Sequence, residues 1–141
     1  MNELTLAEPP TTLDDFTMAL LTRATDAVIP RGRPLVAFGL VELPSGELTL
    51  KRTTAGTHDE ALQQARAVVR LDGFGVRAGV AWDGYFTLEG TRTEAVFVEV
   101  SERDADTSFV FAQRYGRKGL LKKRTFAIGR PMLVDNGNLL G

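Results

Sequence analysis

Chemistry in a chain of 141 residues without cysteine has few places to start. There is no thiolate nucleophile, no disulfide framework and no cysteine-ligated metal. The single histidine lies in Thr57-His58-Asp59-Glu60, and the run His-Asp-Glu invites a metal or acid–base reading. Successive helical residues point about 100° apart, so those three side chains cannot converge on one ion. The same residues make a capping box at a helix start, which accounts for His58 by position alone. Gly73 to Gly79 matches a dinucleotide-binding fingerprint only loosely, because it follows a helix and enters a strand, the reverse of what the pyrophosphate needs. Asp83 stands before Gly84, where turn geometry explains it, and Glu94 and Glu99 fall on opposite faces of one strand. These residues supply no catalytic set, no metal site and no cofactor site, and the reading leans against an enzyme.

One segment stands out. Arg114, Arg117, Lys118, Lys122, Lys123 and Arg124 place six cations in eleven residues, beside Tyr115 and two glycines. Such a stretch could hold the phosphates of RNA or DNA. The competing reading, which we favour, is a solvated loop whose cations keep a sheet edge from pairing. Leu120 and Leu121 sit among the charges and call for burial, in a second subunit for example. The net charge of −1 hides a division: residues 1–106 sum to −7 and residues 107–141 to +6. Opposite signs of that size suit an acidic partner, or simply patches that meet within one fold or between two copies.

The elements that position these residues follow from periodicity. Thr11 or Thr12 caps a helix in which Leu13, Phe16, Leu20, Ala24 and Ala27 recur at spacings of three and four, ending before Pro30. Arg31 and Arg33 lie in the connector. Leu35 to Leu43 is apolar on both sides, as an interior strand is. Pro44-Ser45-Gly46 turns it into a return strand, Glu47 to Arg52. The helix opened by Thr57 directs Ala61, Leu62, Ala65, Val68 and Val69 inward. From Val76 to Val100 the pattern is a meander: Val76–Trp82, a type I′ turn at Asp83-Gly84, Tyr85–Leu88, a reversal at Gly90, and a long strand Thr93–Val100. Thr107–Tyr115 is a further strand, Gly116–Lys123 a basic loop, and Arg124–Ile128 has the length of one more short strand.

The expected fold is α+β: one domain over residues 1–141, in the order α-β-β-α-β-β-β-β. An antiparallel sheet of five to seven strands would carry two helices on one face, since each helix has a single apolar stripe to bury. Residues 1–10 and 130–141 read as flexible or wrapping arms. This element order is similar to that of the roadblock, longin and profilin-like α+β sandwiches, although their closing helix has no counterpart here. Interior strands and the aromatic side chains Phe97, Phe109 and Phe111 imply more apolar sheet than two helices cover. With Leu120 and Leu121 they form the expected interface of a homodimer, packed sheet on sheet or edge to edge; the alternative is that the N-terminal arm or the C-terminal tail covers this surface. The functional expectation is therefore a non-catalytic, self-associating interaction module in the cytoplasm, away from membranes. The alternatives are a nucleic-acid-associated module using 114–124, and a small-ligand binder or enzyme with a pocket near Trp82 and Tyr85.

Overall fold

A computed structural model describes residues 12–30, 35–54, 56–72, 75–119, 124–137 and 139–140. The arm 1–10, the Arg31 and Arg33 connector and the segment from Leu120 to Lys123 lie outside them. Two helices and six strands follow in the expected order: α1 (Leu13–Val28), β1 (Phe38–Glu42), β2 (Leu48–Lys51), α2 (His58–Leu71), β3 (Arg77–Leu88), β4 (Thr91–Glu102), β5 (Ser108–Lys118) and β6 (Arg124–Gly137). All strands pair antiparallel in one sheet, ordered β2-β1-β3-β4-β5-β6.

Both helices start as their sequence dictates. The Thr12 hydroxyl accepts from the Asp15 amide at 3.1 Å, and Asp14 and Asp15 occupy the first turn, where the helix dipole favours acids. The Thr57 hydroxyl accepts from the Glu60 amide at 3.2 Å and donates to the Glu60 carboxylate at 2.6 Å. At the first hairpin, Gly46 takes a positive φ and its amide donates to the Leu43 carbonyl.

The meander departs from expectation at Asp83-Gly84. Strand β3 runs straight through both residues, and the chain reverses at Glu89-Gly90, where both φ angles are positive as a type I′ hairpin turn requires. Asp83 is instead used sideways: its carboxylate accepts from the Leu35 amide at 3.2 Å. Gly84 leaves room for an aromatic ring, since a Cβ there would lie 3.3 Å from Phe97 Cε2. The two strands expected on either side of the turn are therefore one. The count is restored by β6, which extends from the short Arg124–Ile128 candidate through to Gly137. Most of the expected C-terminal arm is thus an edge strand, and beyond it Leu139 is fully buried.

The helices do not share a face. Ala78 and Val80 of β3 pack with Val41, Ala65 and Val69, beneath α2. Ala81, one residue on, packs with Leu40 and with Phe16, Leu20 and Ala24 of α1. Alternate residues of a strand point to opposite sides, so α1 and α2 lie on opposite faces of the sheet. The physical reason is in β1 and β3, which are apolar on both sides and need cover on both. Two glycines let the helices come close. A Cβ on Gly79 would lie 2.5 Å from Leu20 Cδ2 under α1, and one on Gly39 would lie 2.6 Å from Val69 Cγ1 under α2.

This arrangement sets an expected outcome. Gly79→Ala should cost about 1–3 kcal/mol by overpacking, because the Glu99 carbonyl, 3.0 Å from the new Cβ, belongs to rigid sheet backbone. Gly56, with nothing within 4 Å, serves as the control. Urea denaturation of the two alanine variants measures the difference.

Candidate functional site

On the α2 face, the helix lies over β1, β2 and the start of β3. The remainder of that face carries Trp82 and Phe86 of β3, Phe97 of β4, Val110 of β5 and Val134 of β6, all half-buried. Trp82 stacks on Phe97, with centroids 5.6 Å apart and planes 11° from parallel, and Phe86 meets Phe97 edge-on at 6.5 Å. These geometries are the favoured ones for aromatic pairs. A cleft of about 560 Å³ runs beside them, walled by Arg66 and Arg70 of α2 on one side and by residues 134–137 on the other.

A buried polar network holds this wall in place. Glu99, 3% exposed, accepts from Arg66 Nη1 at 2.5 Å and from the Ser108 hydroxyl. Ser108 Oγ in turn accepts from the Leu139 amide at 3.3 Å, and Arg70 Nε donates to the Leu139 carbonyl at 2.7 Å. The Arg66 guanidinium also lies 5.3 Å from the Trp82 ring centroid, within cation–π range. One arginine thereby neutralises a buried carboxylate and caps the aromatic stack.

Of the three expected interface residues that are described, Phe97 alone belongs to this surface. Phe109 and Phe111 point to the other face and pack against the core beneath α1. The antiparallel register explains the split, because Phe97 pairs with Ala112, so that the odd positions of β4 and the odd positions of β5 face opposite ways. Leu120 and Leu121 lie outside the described residues. The pocket expected near Trp82 and Tyr85 divides in the same manner: three residues apart on one strand, the two rings lie on opposite faces. Phe86 and Val134, which sequence reasoning passed over, complete the surface.

The described ends of the basic segment are strand, with β5 paired to β6 up to Lys118 and Arg124. Arg117 is held by Glu94, with contacts of 2.6 and 3.1 Å, and that contact raises its already high pKa. Lys118 lies 5.3 Å from the Phe126 ring centroid. Arg114 is half-buried, its Nε without an acceptor among the described residues. Arg124 is exposed, and next to it the Thr125 hydroxyl donates to the Val28 carbonyl at the end of α1. Lys122 and Lys123 lie outside the described residues. Beside Arg117, the Tyr115 phenol is pushed up to about 12, by burial first and then by Glu94 and Asp83.

His58 approaches a carboxylate, but a different one from its neighbours: Nδ1 lies 3.5 Å from Asp83 Oδ1. Among the described residues no three histidine, aspartate or glutamate side chains gather as a metal site, and no helix is long and apolar enough to cross a membrane.

Two measurements test these environments. Arg66→Ala strands the buried Glu99 carboxylate and should cost about 3 kcal/mol in urea denaturation, with part recovered when Glu99→Gln is added. Tyr115, the only phenol left in a Tyr85→Phe variant, should ionise near pH 12 in a phenolate absorbance titration. Because its folded pKa is raised, its contribution to stability is intact below the ordinary value of 10.0 and is lost as pH rises through about 12.

No protein-family model, no curated protein and no solved structure matches the chain, so the functional reading rests on its own geometry.

Proposed function

We propose that the chain is a non-catalytic interaction module that works as a homodimer, joined through the α2 face of its sheet. The observation that carries this reading is the step on that face. One half is raised by the thickness of a helix, and on the other half, beyond the buried Leu139, no helix among the described residues covers the half-buried Trp82, Phe86, Phe97, Val110 and Val134. A twofold axis running along the strands sets the raised half of one copy over the helix-free half of the other. The two copies of α2 then lie side by side in one layer between two sheets. Such a surface is self-complementary, as a twofold interface must be.

Two further features support it. Leu71, at the end of α2, is 84% exposed, and Ala67 on the same helix is exposed as well. The axis would bring these apolar residues toward the partner's helix-free strands. Charge is arranged the same way: Arg66 and Arg70 border the cleft on the α2 side, and exposed Asp135 borders it on the β6 side. Inverting left and right places each copy's cations opposite the other's acid. The nucleic-acid alternative draws less support, since Arg117 is held by Glu94 and Arg114 is half-buried.

Trp82 is the only tryptophan and lies in the surface, so the chain carries its own reporter. Sedimentation equilibrium should give a dimer at micromolar concentration, with Trp82 shielded from acrylamide and becoming accessible on dilution. Leu71→Arg alters a side chain that is 84% exposed and should weaken the dimer by at least about tenfold, roughly 1.4 kcal/mol. A monomer at all concentrations, with Trp82 quenching independent of dilution, would overturn the reading.

A further inference from the structure

On the opposite face, α1 lies over β3 and β4 and packs against Leu40 of β1, and the start of β1 and β2 lie beside it. Between the C-terminal half of α1 and those strands is a second cleft, of about 580 Å³. Its floor is apolar: Leu35 and Ala37 are buried, and Phe38 and Leu50 are half-buried. Its rim carries Arg23 from α1 and Arg52 from the end of β2, both exposed, with Asp26 as the single acid. Neither arginine has an ion-pair partner among the described residues. The Thr53 hydroxyl, also at the rim, is already spent on the Ala37 carbonyl at 2.8 Å.

We infer that this cleft is a binding site for a small amphipathic anion, an alkyl chain ending in a carboxylate. The volume lies within the range of small-molecule sites, which pair an apolar lining with a few polar groups that fix orientation. The alkyl chain would lie along Phe38 and Leu50, and the carboxylate would take hydrogen bonds from Arg23 and Arg52. A guanidinium offers a planar fork that matches a carboxylate, and two such forks against one aspartate select a negative head over a neutral or positive one. This site is separate from the proposed dimer surface, which lies across the sheet.

Decanoate, decanol and decylamine share one chain and differ in head group, so calorimetric titration with each separates chain from charge. Decanoate should bind most tightly and decylamine least. Arg23→Gln combined with Arg52→Gln should lower decanoate affinity by about tenfold or more while leaving decanol unchanged. Both substitutions are at exposed positions, and circular dichroism checks that the variant folds. Amide shifts on adding decanoate should fall in residues 23–27, 35–38 and 50–53, with the Trp82 indole signal unmoved. Equal binding of decylamine, an unchanged decanoate affinity in the double variant, shifts centred on Trp82, or no binding by any of the three would each overturn the proposal. The Leu71→Arg variant should bind decanoate as the native chain does, so failure of the dimer and failure of this site read out independently.

Discussion

Six strands spaced about 4.8 Å apart make a sheet close to 30 Å wide, and a helix about 10 Å across covers about two of them. Two helices therefore cannot cover one face, still less both. Placing them on opposite faces gives the interior strands β1 and β3 partial cover on each side, which their two-sided apolar character demands. The consequence is that each face keeps a portion that no helix among the described residues covers. On the α2 face it holds the stacked aromatics, and on the α1 face it holds the cleft beside Arg23 and Arg52.

The position of α2 is set by more than oil. Glu99 is buried against Arg66 and Ser108, and Arg70 holds the carbonyl of buried Leu139. Taking a carboxylate and a guanidinium out of water costs several kcal/mol, which their attraction only roughly offsets, so the network adds little net stability. What it adds is geometry. Ala61, Ala65 and Val69 could slide along an apolar surface with small loss, whereas an arginine tied to a carboxylate across the sheet fixes the helix register. The same tie suspends Arg66 over Trp82, so the salt bridge also places the cation at the edge of the aromatic surface.

Much of this was legible in the residues. The caps at Thr12 and Thr57, the turn at Gly46 and the reversal at Gly90 were each written in side-chain types with one geometric use. The sides were not. Along β3, Ala78, Val80 and Trp82 alternate with Gly79, Ala81 and Asp83, so apolar or small residues stand at both parities and nothing says which set meets which helix. Asp83-Gly84 shows the same limit, because the local turn signal lost to a strand whose glycine makes room for a ring from the neighbouring strand. Strand β6 hid for another reason: it is an edge strand with two register shifts, and its alternation is broken. Of the candidate site, Phe97 and Trp82 could be picked from sequence, but Phe109 and Phe111 could not be separated from Phe97 without the β4–β5 register.

Those irregular edges bear on how two copies could meet. An exposed edge strand is the easiest route to pairing between chains, and it is the route least open here. On one side, β2 has only four residues. On the other, β6 is interrupted by bulges opposite Val110–Phe111 and Ala112–Arg114, and Pro131 within it contributes no amide donor. Continuous edge-to-edge pairing would have to cross those breaks. Among the described residues, the helix-free part of the α2 face has no such break: its aromatic side chains stack on one another, and its polar border is tied down by Arg66 and Arg70. Association through the face therefore meets less structural resistance than association through the edge, and the burial of Trp82 in one case but not the other is what separates them.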